Sequence, residues 1–390
     1  MSMNFNLSQD QQAIRESVVK LCERFPDPYW LEMDAGDDYP LDFHKAFAEA
    51  GWLGIAMPER YGGSGLGLTE ASLLVQAITE CSPGGIGASA IHLNIFGLNP
   101  VLVFGTEEQR QRMIPPMIAG RERACFAVTE PNTGLNTLKL KTRAVRKGDR
   151  YVVHGEKVWI SSAQVADKML LIARTQDASE VKNPTHGLSL FYTNLDRKRV
   201  ALRRIPKLGR KPIDANQVFI DGLEIPVEDR LGEEGRGFEY ILHGMNPERI
   251  LVAAESVGLG RNALQRASRY AKERIVFDRP IGMNQGVQHP LAECWMHLEA
   301  ANLMTMKAAT LYDQQQPCGA EANAAKFLAA EAGYKAAETA MLTLGGFGYA
   351  KEFHIERLLR EVMLFRIAPV SGQLVKCFIA EKVLGQPKSY

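Results

Sequence analysis

Proton-transfer chemistry needs a carboxylate, imidazole or amine held in a controlled environment. The stretch Met245-Asn246-Pro247-Glu248-Arg249-Ile250-Leu251-Val252-Ala253-Ala254-Glu255 offers two carboxylates along one apolar, alanine-rich run. Asn is a favoured N-cap, Pro suits the first helical position, and an acid in the first turn meets the positive end of the helix dipole. Glu248 therefore reads first as a charge on a helix start or kink, a purely structural role. Glu255 follows seven residues later, nearly in line with Glu248 on an ideal helix. Two further carboxylates lie in Glu356-Arg357-Leu358-Leu359-Arg360-Glu361, a run with the look of a charge-laced helix face. Other chemistries find less support. The eight histidines form no HxxxH or HExxH pair, so no metal site is expected. The six cysteines show no CxxC spacing and no basic-then-apolar leader precedes them, so reduced thiols in a cytoplasmic protein are expected. The glycine-rich stretch from Gly51 to Gly67 lacks the GKS/T ending of a phosphate loop and reads as a connection.

What must position these groups follows from the length and texture of the chain. A chain of 390 residues exceeds what one core usually organises, so two or three domains are expected. With 46 Lys+Arg against 45 Asp+Glu the formal net charge is +1, which provides no global field for nucleic acid or an anionic membrane. No uninterrupted apolar run reaches the roughly 18 to 20 residues of a membrane span. Residues 1–122 have helical texture. Ser8-Gln9-Asp10-Gln11 fits a capping box ahead of Ile14, Val18 and Cys22 at helical spacing, and Ala71 to Ile78 forms another apolar helix. Residues 123–236 change to short β runs. Cys125 to Thr129, Lys141 to Arg146, Tyr151 to Val153, Lys157 to Ile160, Met169 to Arg174, Leu188 to Tyr192 and Asn216 to Ile220 are strand candidates, with a hairpin turn at Lys147-Gly148-Asp149. Residues 237–390 return to helix, with Tyr240 to Phe277, Leu291 to Tyr312 and Ala322 to Leu344 too long and alanine-rich for strands. The expected fold is mainly α with a central β domain: a helical N-terminal domain, an antiparallel, barrel-like middle domain and a C-terminal four-helix bundle.

Several segments carry a family resemblance. Phe126-Ala127-Val128-Thr129-Glu130-Pro131-Asn132-Thr133-Gly134 and Gly155-Glu156-Lys157-Val158-Trp159-Ile160-Ser161 resemble the flavin-binding β domain of the acyl-CoA dehydrogenase family. The resemblance continues through Lys207-Leu208-Gly209-Arg210, Leu231 to Phe238, Glu273 to Phe277 with Pro280-Ile281, and Gly345-Gly346-Phe347-Gly348-Tyr349. It covers essentially the whole chain and implies an FAD enzyme that desaturates acyl-CoA thioesters, usually a homotetramer, with an electron-transferring flavoprotein as acceptor. By matching positions, Phe126, Val128 and Thr129 would meet the edge of the flavin ring, Trp159 would cover it and Ser161 would hydrogen-bond near its N5. Arg274, Phe277 and Gln285 match positions that reach the diphosphate and adenosine side, typically of a neighbouring subunit, and Gly345 and Gly346 the glycine turn of the cofactor site.

The departures from the family bear on substrate and base. Gly134-Leu135 stands where Gly-Ser is common, and Leu342 where a glutamine usually precedes the double glycine, so two polar ligand contacts are missing. The segment whose Glu is the usual base aligns with Ile367-Ala368-Pro369-Val370-Ser371, and Pro369 cannot take a proton. Members resembling isovaleryl- and long-chain acyl-CoA dehydrogenases carry the base on a C-terminal-domain helix in a Glu-Arg pair, the place of Glu248-Arg249. The resemblance thus implies Glu248 as base, Glu255 as its rival, and Gly134, Leu135 and Arg249 beside the substrate. Two alternatives stay open: a related oxidase or monooxygenase acting on a non-CoA substrate, and a non-catalytic FAD-binding subunit.

Overall fold

A computed structural model of the protein describes residues 6–389. In chain order its first helices are α1 (Gln9–Cys22), α2 (Asp27–Ala35), α3 (Leu41–Glu49), α4 (Leu68–Glu80), α5 (Gly84–Phe96), α6 (Asn99–Phe104) and α7 (Glu107–Ile118). The strands follow as β1 (Ala124–Ala127), β2 (Arg143–Lys147), β3 (Arg150–Ser161), β4 (Lys168–Arg174), β5 (Leu188–Asn194), β6 (Val200–Arg204), β7 (Ala215–Pro226) and β8 (Arg230–Leu231). Then come α8 (Gly237–His243) and α9 (Met245–Glu273), a small hairpin of β9 (Ile275–Val276) and β10 (Arg279–Pro280), and the helices α10 (Gln285–Asp313), α11 (Gly319–Leu344), α12 (Ile355–Ile367) and α13 (Gly372–Lys382). The expected succession of a helical part, a β part and a second helical part is what the chain forms. Spatially it divides into two compact units. One holds the chain up to Gly36, Leu66–Ala88 and everything from Asn246 on; the other holds Asp37–Gly65 and Ser89–Met245.

In the second unit the strands form one sheet in the order β6-β7-β3-β2-β4-β5-β8, with β1 added on β4. Pairing is mostly antiparallel, but β1 runs parallel to β4 and β2 meets β4 in parallel at Arg143 and Arg174. The β2–β3 hairpin turns at Gly148, which has φ +62°. Two expected strands, Tyr151 to Val153 and Lys157 to Ile160, are one strand, β3, whose register against β7 shifts twice. Gly155 lies between the two shifts, where a Cβ would come within 2.5 Å of Thr142 Oγ1. One face of the sheet buries Tyr151, Phe191, Val218 and Ile225; the other packs Leu170, Ile172 and Leu190 against Met113, Ile114 and Met117 of α7. Full burial of such side chains contributes about 1.5–3 kcal/mol each.

In the first unit α9, α11 and α12 share a core of Leu259, Ala263, Ala330, Ala337, Leu358 and Phe365. Alanine and glycine let the helices approach closely. A Cβ on Gly258 would lie 2.0 Å from Thr79 Oγ1 of α4, and one on Gly260 2.9 Å from Gly333 Cα of α11. Helix α1 begins with the expected capping box: Ser8 Oγ accepts from Gln11 N at 3.2 Å while Gln11 Oε1 accepts from Ser8 N at 3.1 Å. Helix α4 has a glycine at its start, and Asp313 from the end of α10 caps it instead, accepting from Leu68 N and Thr69 N at 2.6 and 2.9 Å.

One expectation needs correction. The helix expected to run to Phe277 ends at Glu273, because β-branched Ile275-Val276 and then Pro280 favour the β9–β10 hairpin, with Phe277 and Asp278 at its turn (φ +52° and +62°). Among the described residues, Gly84–Phe104 and Ile355–Lys382 have the length and mean composition of a membrane span, but polar residues such as His92 and Asn94 interrupt the first and several charges the second, in keeping with the expectation of no uninterrupted apolar run. Most of the Gly84–Phe104 window is buried within the protein.

Candidate active site

The ring-side residues of the sequence reading come together at the C-terminal end of β1 and along β3. Val158 N donates to Thr129 O at 2.9 Å, which sets Thr129 beside Trp159. Underneath lies Lys157, wholly buried, whose ammonium donates to Val128 O and to Glu130 Oε1, both at 3.0 Å. Glu130 completes its set by accepting from Lys141 N at 2.6 Å and Thr142 N at 2.9 Å. Burial pushes the Lys157 ammonium down to about 8, against the opposing charge of Glu130. Burial also acts to raise the Glu130 carboxyl, but Lys157 and the hydrogen bonds from Thr142 outweigh it and hold the group below its usual value. This pair fixes the strand end carrying Val128 and Thr129. Above it Trp159 adopts φ +61° and holds its indole 59% exposed, in a backbone region that bulky residues rarely enter. Phe126 is half-buried, with its ring 6.2 Å from Phe96, and Ser161 is exposed at the end of β3. Gly134 has open space where a Cβ would stand, and the next side chain, Leu135, is 53% exposed.

The remaining residues belong to the first unit. The Arg274 guanidinium lies 5.6 Å from the centre of the Phe347 ring, which brings it to the turn of Gly345 and Gly346. Gly345 has φ +59°, and neither glycine would place a Cβ within 4 Å of any atom, so bare backbone faces open space. Phe277 stands 91% exposed on the hairpin, and Gln285 opens α10.

Glu248 sits half-buried in the first turn of α9, after a break at Gly244 where the backbone stays helical (φ −76°, ψ −9°). Of the two sequence readings, the helix start is the one that holds here. Next to it Arg249 donates to Asn246 Oδ1 at 3.2 Å, while its buried Nε has no partner. Burial lowers the pKa of Arg249, opposed by the charge of Glu248. Lys326 of α11 holds the segment around Pro369. Only 1% exposed, it donates from Nζ to Val370 O at 2.5 Å. Its pKa is pushed down to about 8, first by burial and then by the charge of Arg249. The sequence reading missed Lys326; a lone lysine within the apolar run Ala324-Ala325-Lys326-Phe327-Leu328 was the available signal. The other carboxylates are engaged elsewhere. Buried Glu361 pairs with Arg357 at 2.9 Å and accepts from Gly85 N at 2.7 Å, and Glu356 pairs with Arg360 at 2.6 Å. Glu255 is 1% exposed within α9.

These features fit a flavin dinucleotide. An indole held out from the sheet suits a flat ring system, and open glycine backbone with an exposed guanidinium suits a diphosphate.

Comparison with known proteins agrees along the whole chain. Models of the acyl-CoA dehydrogenase N-terminal, middle and C-terminal domains match residues 8–121, 125–223 and 235–383. Acyl-CoA dehydrogenase fadE12 of Mycobacterium bovis is 36% identical over 400 residues, covering 99% of each chain. The structure of a glutaryl-coenzyme A dehydrogenase in complex with glutaryl-CoA is similar with a TM-score of 0.94 at 29% identity, over 99% of this chain and 98% of that one. Butyryl-CoA dehydrogenase from Megasphaera elsdenii gives a TM-score of 0.92 at 26% identity, over 98% and 100%.

Proposed function

The chain belongs to the acyl-CoA dehydrogenase family, and on that premise we propose that it converts an acyl-CoA to the 2-enoyl-CoA with Glu248 removing the α proton. The family is FAD-dependent, and FAD, when bound, would supply a two-electron acceptor for the β hydride. Phe126, Val128, Thr129, Trp159 and Ser161 would hold the ring side, with Trp159 keeping water away. Arg274, Phe277, Gln285, Gly345 and Gly346 would hold the diphosphate and adenosine side, in part across a homotetramer. Gly134 and Leu135 would flank the thioester, Leu135 without the hydroxyl of the usual serine.

The observation that supports the assignment is the place of Glu248, half-buried in the first turn of α9 beside Arg249, together with Pro369 at the position where the family's usual base would stand. Pro369 supplies neither a carboxylate nor an amide hydrogen there. Positive charge from Arg249 and Lys326 favours the negative charge that develops on the thioester as the proton leaves. An electron-transferring flavoprotein would then accept the electrons.

Anaerobic mixing with a panel of acyl-CoAs tests this reading. Bleaching of the flavin with enoyl-CoA formation supports it. Oxygen-dependent turnover of a non-CoA substrate favours the oxidase alternative, and CoA-ester binding without reduction a binding subunit. Glu248→Gln should retain FAD and CoA esters while slowing flavin reduction roughly 10²–10⁴-fold. Normal reduction in that variant would transfer the role to Glu255.

A further inference from the structure

The chain as a whole balances its charges, 46 Lys+Arg against 45 Asp+Glu, yet residues 196–211 hold eight Lys or Arg against one acid, Asp196. The imbalance is local and one-sided. This stretch is the rim of the sheet in the second unit: it turns through Arg197, Lys198 and Arg199, runs along β6 at the end of the strand order, and leaves in a loop to Lys211. Arg197, Lys198, Arg199, Arg203, Arg204 and Lys211 are all exposed. Lys207 and Arg210 turn inward instead, Lys207 donating to Gly209 O and Arg210 to Ser89 Oγ, both at 2.7 Å. The carboxylates close by are already engaged. Asp37 pairs with Arg204 at 3.4 Å, Asp221 lies 3.1 Å from His154 Nδ1, and Asp196 accepts from Lys198 N at 2.9 Å. Among the described residues no carboxylate pairs with Lys198, Arg199 or Arg203.

Strand register brings this rim to the ring side of the candidate site. Arg204 pairs with Asn216 of β7 and Asn216 with Ile160 of β3, so Arg204 lies two strand spacings, about 10 Å, from the residue that follows Trp159. One residue on, Ile205 N donates to Ala215 O at 2.7 Å, and Ala215 pairs in turn with Ser161. We propose that the β6 rim is the docking surface for an electron-accepting protein that presents acidic side chains to it. The inference rests on the dehydrogenase reading, in which Trp159 and Ser161 lie on the ring side of the cofactor. Each acyl-CoA oxidised releases two electrons and two protons; the electrons reduce the acceptor's own redox centre and the protons go to water. Electron transfer weakens steeply with distance, so the acceptor has to bind close to the ring. A single-sign field beside that place raises encounters with an oppositely charged partner by about 10–10³-fold. Phe219, paired with Ala201 and 40% exposed, adds apolar contact among the cations. Charges on an edge strand also stop copies from pairing strand to strand, but a few charges of either sign do that. A run of one sign is what an acidic partner reads.

The test takes FAD-loaded enzyme, reduced photochemically without substrate, and mixes it anaerobically with purified electron-transferring flavoprotein as the acceptor. The rate constant for acceptor reduction should fall as ionic strength rises. In Lys198→Glu/Arg199→Glu/Arg203→Glu it should fall roughly 10-fold or more at low salt, with a parallel loss of acceptor binding to the immobilised enzyme, and the corresponding glutamine triple should lie between. Oxidation by a small neutral quinone and the mass of the assembly should match wild type in both variants. Bleaching by acyl-CoA is scored separately: its absence in the wild type removes the dehydrogenase reading, while the photoreduced enzyme still judges the docking surface. Acceptor reduction as fast in the glutamate triple as in the wild type, or a rate indifferent to salt, would overturn the proposal. So would a changed mass, which makes the rim a contact between copies. Binding of phosphatidylserine vesicles or duplex DNA that the glutamate triple loses, with acceptor reduction unchanged, would overturn it in favour of a polyanion surface. Should the glutamate triple not fold, the glutamine triple and the wild-type salt dependence decide.

Discussion

Lys157 concentrates more of the site's support than any residue that would touch a ligand. Its ammonium, buried in the sheet, ties Val128 O to Glu130. Lys157→Met leaves a buried carboxylate without its counter-charge, a change that typically costs about 3–5 kcal/mol. Urea unfolding should register a loss of that size, together with weaker FAD retention. The double variant Lys157→Met/Glu130→Leu should lose less than the sum of the two single changes, because the orphaned charge is gone. His354 supports a second residue-scale prediction. It is 2% exposed at φ +60° and caps α12, with Arg357 Nε donating to its Nδ1 at 3.3 Å. Burial, then the charge of Arg357, lowers its pKa to about 4, with Asp27 and Asp34 opposing and Arg266 reinforcing the shift. Between pH of about 4 and about 6.5 the unfolded chain binds a proton here and the folded one does not. Acidification through that window therefore costs stability, by up to about 1.4 kcal/mol per pH unit from this group. His354→Asn, which tolerates the left-handed backbone, should lose less across the same window; thermal melts of both proteins between pH 7 and pH 4 check it.

At the scale of elements, helix approach is governed by glycines, and Gly258 is the tightest case. Thr79 Oγ1 and Gln76 O stand 2.0 and 2.6 Å from where its Cβ would be. Gly258→Val should therefore push α9 from α4 and destabilise the protein by at least about 1–3 kcal/mol, read as a lowered Tm. Nothing in the local sequence distinguishes this glycine from its neighbour Gly260, because the partner that makes it necessary lies far away in the chain. The same boundary separates what the sequence made legible from what it did not. The capping box at Ser8, the turn at Gly148 and the long alanine-rich helices depend on neighbours in the chain and were readable. Edge strand β6, Val200–Arg204, is short and ends in two arginines, and it carried too little alternation to be recognised. Asp313 capping α4, Lys157 beneath Val128 and Lys326 on Val370 are long-range contacts, so the supports of the site stayed hidden while its motif residues did not.

At the scale of the whole molecule, the segment from β9 into α10 leaves a set of large apolar side chains uncovered: Phe277 at 91%, Met283 at 60%, Trp295 and Met296 at 57% and Leu303 at 54% exposure. Met296 and Leu303 are two turns apart on α10 and share a face. Large apolar side chains left open in such numbers mark a surface that something covers, and a formal net charge of +1 gives copies of the chain little reason to repel one another. A second copy is the occupant we propose, within the homotetramer usual for the family. Covering a Phe side chain contributes about 1.5–3 kcal/mol, and closed symmetry repeats that contribution in every subunit. Phe277→Asp should therefore shift the mass measured by size-exclusion chromatography with light scattering towards smaller species. Because Phe277 and Arg274 are assigned to a neighbour's cofactor, the same variant should also release FAD more readily, while Asp at this exposed hairpin tip leaves the subunit core of Leu259, Leu358 and Phe365 intact. An unchanged mass with FAD fully retained would show that this hairpin meets no other subunit; a smaller mass with FAD retained would separate assembly from cofactor binding and assign the diphosphate contacts to the subunit's own residues.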